Sequence, residues 1–377
     1  LKYHIFHRTV RMAAAFYDLN YSSVTDNSPV KDYGNDTFLS SHLQATDVKT
    51  RKTMFIDSDA SRILWTGYST GRCIAQWKKS NESSEPFEET CRLPVRSDPY
   101  DLCEISAERF AASFANGDIV YYDTSNCKIQ ELGRKQAVHG DGNARVLALN
   151  ENKIISGSSS GSIIIMDIES GEKQILPMDY SGVSAMTVLT GGSLLATGHE
   201  AGQLLIWDMR DPNTFSQPST ATPSKRSLDA ITALAAHPAQ SNLIAFGTDD
   251  GGIGFCDVRG AGSELLPTLF DVFVSTVTKI GFHPQCGEHL VCSSLDGCLN
   301  HWDASHVNMG GFRSSASSRQ SVWTNDRLGD AVNINTLRSK SFGGVNGFDI
   351  VGKNVVAAYD MMSIAVFEGV SFPIASS

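Results

Sequence analysis

The chain is short of charge, short of cysteine motifs and without a long apolar run, and each shortage closes a class of function. Charged residues make up only 19 % of its 377 positions while 41 % are hydrophobic, a balance too apolar for a disordered chain. The charge it has leans acidic, with 31 Lys+Arg against 41 Asp+Glu and a formal charge of −10. Affinity for nucleic acid driven by bulk charge is therefore unsupported, as is polybasic attachment to a membrane surface. No apolar stretch approaches the roughly 18 residues needed to span a bilayer; Ile163-Ile164-Ile165-Met166 is typical of the longest. The expectation is a soluble globular chain with no membrane insertion and no direct nucleic-acid partner.

Eight cysteines stand at 73, 91, 103, 127, 256, 286, 292 and 298, and no two have the C-x-x-C spacing of a zinc or redox site. Cys286, Cys292 and Cys298 are spaced six apart, which puts them on one face of a β segment and makes a metal conceivable. Zinc usually takes four well-placed ligands, however, and small buried hydrophobes are the ordinary occupants of such positions. A reducing compartment is expected, with no metal and no cofactor. The chain also lacks a Gly-x-Ser-x-Gly elbow, a Walker-type loop and a His-Glu-x-x-His motif. Gly157-Ser-Ser-Ser-Gly161 has the look of a phosphate loop, but no helix follows to supply amino-terminal amides.

What the chain has is a repeat. Leu194-Leu-Ala-Thr-Gly198, Ala201-Gly202 and Trp207-Asp208 recur as Leu243 to Gly247, Asp250-Gly251 and Cys256-Asp257. The same line returns as Leu290 to Ser294, Asp296-Gly297 and Trp302-Asp303. Earlier copies end at Ser160-Gly161 with Asp167 and at Asn116-Gly117 with Asp123, and in all five the glycine stands six residues before the aspartate. A sixth copy carries Thr70-Gly71 and Gln76-Trp77, is one residue longer, and has Lys78 in place of the aspartate. The glycines at 71, 117, 161, 202, 251 and 297 recur about every 45 residues, the period of a four-stranded propeller blade.

The local chemistry agrees. Asp-Gly, Asn-Gly and Ser-Gly between apolar runs are hairpin turns, because glycine takes positive φ without strain. Leu204 and Ile206 alternate with Leu205 and Trp207, so both faces of that strand are apolar and both must be buried. Stacked blades do this; a two-layer sandwich would leave one face polar. His237-Pro238 and His283-Pro284 each lie 20 residues before a repeat aspartate, where proline ends a strand. These histidines are expected in loop or blade-packing roles. The repeat aspartates 123, 167, 208, 257 and 303 are expected to be structural, since catalytic residues have no reason to recur once per blade. No catalytic residue is expected.

The features resemble the WD-repeat family from about residue 38 to 368, at roughly 47 residues per blade for seven blades. The resemblance implies an all-β, seven-bladed propeller closed by an amino-terminal strand that joins the last blade, which removes an exposed edge. Phe38 to Val48 is the expected closing strand, and Val355 to Tyr359 with Ser363 to Phe367 the expected seventh blade, its turn lacking glycine. His139 falls near the place of the family's Gly-His pair, but most blades lack that histidine. The domain reading is an extension over 1–36, a propeller over 37–370 with a Ser-rich insertion at about 305–345, and a tail over 371–377. Lys2, Arg8 and Arg11 precede the first acid, Asp18, and no apolar signal core is present.

Within that family the chain is similar to the forty-three-kilodalton nucleoporins. The patches are Phe282 to Leu290, Ser294 to Gly297, His301-Trp-Asp-Ala304, Gly311 to Ser315, Ile334 to Ser341 and Val345 to Asp349, with Leu102 to Ile105 and Gly202 to Asp208 upstream. This implies a non-catalytic scaffold subunit of the nuclear pore's Y-shaped outer ring, with other nucleoporins as partners, especially an α-solenoid subunit. It further implies nuclear-envelope localisation, kinetochores in mitosis, and no self-association. Alternatives are a reader of peptides or histone tails, or an adaptor in a ubiquitin ligase or methyltransferase assembly. Phe312, Arg313 and Trp323 of the insertion are the candidate partner-binding residues. Phe312 and Trp323 would otherwise pack onto the propeller; if they are anchors, their replacement by Ala weakens binding and leaves the melting temperature nearly unchanged.

Overall fold

A strand that is apolar on both faces needs a neighbour on each side, and in the computed structural model every repeat has two. The structure describes residues 40–80, 86–140, 142–176, 181–210, 218–221, 229–259, 268–307, 321–324, 328–340 and 343–373. The extension expected over 1–36 lies outside the described residues, as do Phe312 and Arg313.

Strand β1 (Ser40–Ala45) is first among the described residues and last in the ring. Blade 1 follows it with β2 (Thr50–Phe55), β3 (Arg62–Gly67), β4 (Cys73–Lys79) and β5 (Phe87–Pro94). Blade 2 has β6 (Pro99–Ser106), β7 (Arg109–Phe114), β8 (Ile119–Asp123) and β9 (Gln130–Lys135). Blade 3 has β10 (Ala144–Asn150), β11 (Lys153–Ser158), β12 (Ile163–Asp167) and β13 (Lys173–Leu176). Blade 4 has β14 (Val183–Val188), β15 (Leu194–His199), β16 (Leu204–Asp208) and β17 (Ser219–Ala221). Blade 5 has β18 (Ile231–Ala236), β19 (Leu243–Thr248), β20 (Gly252–Asp257) and β21 (Thr268–Asp271). Blade 6 has β22 (Val277–Phe282), β23 (His289–Ser294), β24 (Leu299–Asp303) and β25 (Asn333–Arg338). Blade 7 has β26 (Val345–Val351), β27 (Asn354–Tyr359) and β28 (Ser363–Glu368), and its fourth strand is β1, paired antiparallel to β28 from Ser40↔Glu368 to Ala45↔Ser363. The seventh blade is complete, with β1 covering the outer edge of β28.

The core lies between blades. Leu204 and Ile206 of blade 4, for example, meet Ile231, Ile244 and Phe246 of blade 5, all buried. The seam is also polar. In every blade the first strand has a register shift near its start, as between Val183/Ala185 and Ile231/Ala233. Such a shift leaves one residue outside the ladder. In four blades that residue reaches the neighbouring blade: Ser184 Oγ donates to Ile231 O and Thr232 Oγ1 to Val277 O at 2.6 Å. Asn346 Nδ2 donates to Thr50 O at 2.8 Å and Arg51 to Pro99 O at 3.4 Å. Carboxylates add to it, with Asp101 accepting from Leu147 N–H and Asp349 from Phe55 N–H, both at 2.9 Å.

Three expectations change. The insertion ends before residue 333, because Asn333–Arg338 is the fourth strand of blade 6, with Leu337 inward and Ile334 outward. Phe372, assigned to the tail, is buried against blades 6 and 7. Gly71 is not the positive-φ residue of its turn; the extra residue moves that role to Ser69 (φ 68°). Glycine is needed at 71 because a Cβ there would sit 1.9 Å from Val48.

Candidate protein-interaction surfaces

The repeat residues serve the ring. Gly117, Gly161, Gly202, Gly251 and Gly297 all have positive φ in their hairpins. Each repeat aspartate ends its third strand and accepts the backbone N–H two residues on, as Asp123 does from Ser125 and Asp303 from Ser305. Asp167, Asp208 and Asp257 accept from Glu169, Arg210 and Arg259 in the same way. This is an Asx turn, satisfied by a short carboxylate and not by a lysine. Where Lys78 replaces the aspartate, β4 runs on to Lys79, whose N–H donates to Ser61 O, as the residue after the aspartate does to the residue before its own second strand in the blades that keep the aspartate. Trp77, Trp207 and Trp302 are buried in the blade faces; Trp77 packs edge-on to Trp65 at 5.5 Å, and Trp207 Nε1–H donates to Thr197 Oγ1 at 2.9 Å.

Six of the described histidines, at 139, 199, 237, 283, 289 and 301, are buried. His139 lies between Ser162 Oγ at 2.6 Å and Ser156 Oγ at 2.8 Å, and burial lowers its pKa to about 4. His237 accepts the N–H groups of Ala239 and Gln240 on Nδ1, while Nε2–H donates to Gly287 O of the next blade at 3.1 Å. His283 repeats the arrangement with Gln285, Cys286 and Gly352 O at 2.9 Å. The two His-Pro sequences are thus inter-blade latches. The thiols are no better placed for chemistry: desolvation pushes buried Cys256 and half-buried Cys103 up to about 12, away from thiolate. Among the described residues, no group of three or more His, Cys, Asp or Glu is arranged to hold a metal ion. No helix among them is long and apolar enough to cross a membrane, and all eight cysteines are free.

Trp323 is a correction. It is 0 % exposed, stacked on Phe255 at 4.9 Å, edge-on to Phe282 at 5.5 Å, and its Nε1–H donates to Gly287 O at 2.8 Å. It plugs the cleft between blades 5 and 6, with Leu328 of the short helix α1 (Leu328–Ala331) beside it. A side chain so placed offers nothing to a partner. Phe372, which the sequence reading missed, plugs the next cleft, its ring against His283, His289 and His301. There His289 Nε2–H donates to Pro373 O at 2.7 Å, and His301 Nε2–H donates to His289 Nδ1 at 3.1 Å.

The exposed chemistry falls on two faces and a rim. One face carries the hairpins between second and third strands and the connections from blade to blade; the other carries the insertion and the His-Pro latches. Of the exposed large hydrophobics, Leu132, Ile175, Leu269 and Ile334 lie on the outer strands β9, β13, β21 and β25. Val274, Leu295 and Met362 lie on the hairpin face, in adjacent blades.

Comparison with known proteins agrees with this architecture. The family described as the nucleolar protein 10-like, N-terminal domain, a β-propeller, matches residues 135–337, more than half of the chain. Human nucleoporin Nup43 is 30 % identical over 241 residues, covering 58 % of this chain and 62 % of that protein. Mouse Nup43 is 27 % identical, covering 57 % and 61 %. The chain thus spans less than two thirds of the length of these curated relatives. A chain in the crystal structure of the mitotic checkpoint complex matches 94 % of this chain and 98 % of itself, with a TM-score of 0.66 at 16 % identity, a likeness of fold alone.

Proposed function

The chain belongs to the nucleolar protein 10-like amino-terminal β-propeller family, a WD-repeat fold, and on that premise we propose that it is a non-catalytic scaffold subunit of the nuclear pore complex. Similarity to the Nup43 proteins is the observation that carries the reading. The interior supports it: the buried histidines engage the protein's own backbone and hydroxyls, and the aspartates that recur cap turns. In this reading the ring is a platform in the Y-shaped outer ring, in contact with other nucleoporins and above all with an α-solenoid subunit. It would sit at the nuclear envelope and support transport of protein and mRNA.

The test is the composition of what co-purifies with the tagged chain from cell extract at moderate salt. Recovery of outer-ring nucleoporins, with a fluorescent tag at the nuclear rim, is the expected result. Histones or ubiquitin-ligase subunits without nucleoporins would replace this reading with that of a WD-repeat adaptor. The same tag followed into mitosis tests residence at kinetochores.

A further inference from the structure

Seven copies of one loop allow a comparison within a single molecule, and on the hairpin face the seven are not alike. The hairpins of blades 1 to 4 present Ser69-Thr70, Asn116, Ser159-Ser160 and Glu200-Ala201. Those of blades 5 to 7 present Asp249-Asp250, Leu295-Asp296 and Asp360-Met361-Met362. Val274, in the connection from blade 5 to blade 6, is 77 % exposed, Leu295 44 % and Met362 38 %. No other exposed large hydrophobic is found on this face among the described residues.

These loops form one continuous ridge. Thr276 Oγ1 donates to Asp249 O at 3.1 Å, and Leu295 N–H donates to Thr276 O at 3.0 Å. Gly344 lies against Leu295, where a Cβ would come within 2.8 Å of the Leu295 carbonyl. Asp360 N–H donates to Gly344 O at 2.9 Å, and Thr46 N–H closes the row on Met362 O at 2.7 Å. The ridge is also acidic. Asp229, Asp249, Asp250, Asp271, Asp296 and Asp360 stand along it; of the cations among the described residues, Lys49 pairs with Asp360 at 3.4 Å, Arg338 lies over the Tyr359 ring, and Lys340 faces Asp296. Partial burial and the nearby Asp250 and Asp249 raise the Asp229 pKa, which shows how closely the carboxylates crowd.

We propose that this ridge docks an amphipathic, basic segment of a partner protein, its apolar side on Val274, Leu295 and Met362 and its Lys or Arg side chains on the surrounding carboxylates. Exposed side chains of this size are scattered singly on most surfaces, but three along one continuous ridge, among carboxylates that outnumber the cations, suit a docking site. An excess of negative charge also steers a basic partner and makes the association salt-dependent. The inference rests on the reading of the chain as an interaction platform; it adds where the partner sits and what it must carry.

The test uses the full chain and three synthetic 18-residue helices: Leu and Lys in amphipathic order, the same residues scrambled, and the Leu/Glu counterpart. Fluorescence anisotropy at low and moderate salt is expected to show binding of the ordered Leu/Lys helix alone, weakened by salt. The combined variant Val274→Gln, Leu295→Gln, Met362→Gln should weaken it tenfold or more at an unchanged melting temperature, and Asp249→Lys should do so independently. Equal binding to the triple variant, or to the Leu/Glu helix, overturns the proposal. So does a dimer in sedimentation that the triple variant dissolves, since the occupant is then a second copy. Nucleoporins that co-purify equally with wild type and triple variant sink the ridge and leave the scaffold reading standing. A wild type that binds the Leu/Lys helix through the ridge but recovers no nucleoporins does the reverse.

Discussion

Replacing Trp323 with Ala removes the plug between blades 5 and 6, and the structure sets the size of the effect. The indole is fully buried, stacked on Phe255 and edge-on to Phe282. Deleting a buried aromatic of this kind costs about 3–5 kcal/mol, since the cavity that remains relaxes only in part. Its hydrogen bond adds little to that sum, because Gly287 O keeps the His237 donor at 3.1 Å and is not orphaned. At roughly 2.1 cal/mol/K of unfolding entropy per residue over the roughly 280 described residues, the melting temperature should fall by roughly 5–8 °C. Trp323→Phe keeps most of the stacking and loses the donor, for about 1 kcal/mol or roughly 2 °C. Scanning calorimetry of the two variants, with partner binding measured alongside, decides the matter. Loss of binding by Trp323→Ala at an unchanged melting temperature would refute the placement and return the side chain to the surface.

Three other outcomes follow from the same contacts. His139 and His237 are held neutral with pKa values of about 4, so below pH 6.5 the unfolded chain binds protons that the folded ring refuses. Stability is unaffected above pH 7 and declines as pH falls from 6.5 toward 4, by about 2 kcal/mol per histidine at pH 5; urea melts that coincide at pH 7 and pH 5 would contradict it. Gly251→Ala must place a Cβ 2.1 Å from Phe273 O at a φ of +100°, for about 3 kcal/mol or more, whereas Gly352→Ala, at +55° with open space around it, should cost about 1 kcal/mol; equal melting temperatures for the two would show that the hairpin accommodates the side chain. Deleting β1 leaves the edge of β28 unpaired, so the shortened chain should melt lower and aggregate with rising concentration, and a monodisperse product of unchanged stability would disprove the role of that strand in closure.

Much of the ring is legible in the sequence because its commonest parts do one job with one residue type. The repeat aspartates are such parts, each capping the turn two residues on, and so are the hairpin glycines. The seam is less legible, because the residues that stitch one blade to the next are Arg51, Ser184, Thr232 and Asn346. Their place in the first strand is the same, but any side chain able to donate to a carbonyl serves, so no residue type repeats. Trp323 reads as a surface anchor because its near neighbours in the chain are Ser, Arg and Gln, while its packing partners belong to blades 5 and 6. Phe372 is hidden by the same effect: it follows the last strand, and the His283, His289 and His301 rings it meets lie a whole blade upstream. Of the surface candidates, Val274, Leu295 and Met362 carry no motif at all; they emerge only when the loops of seven blades are set side by side.

The pairing of β1 with β28 also has a cost in time. Ala45 leaves the ribosome some three hundred residues before Ser363, its partner across the ladder. At a synthesis rate of 5–20 residues per second that is a delay of roughly 15–60 s. Throughout it the first strand has nowhere to go, and six blades stand with an unfilled place between the first and the last. A message cut short anywhere before the codons of β28 therefore yields a chain that cannot close, however many complete blades it holds. The ring in this way reports on its own completion, and an early stop leaves an exposed strand that marks the product as unfinished.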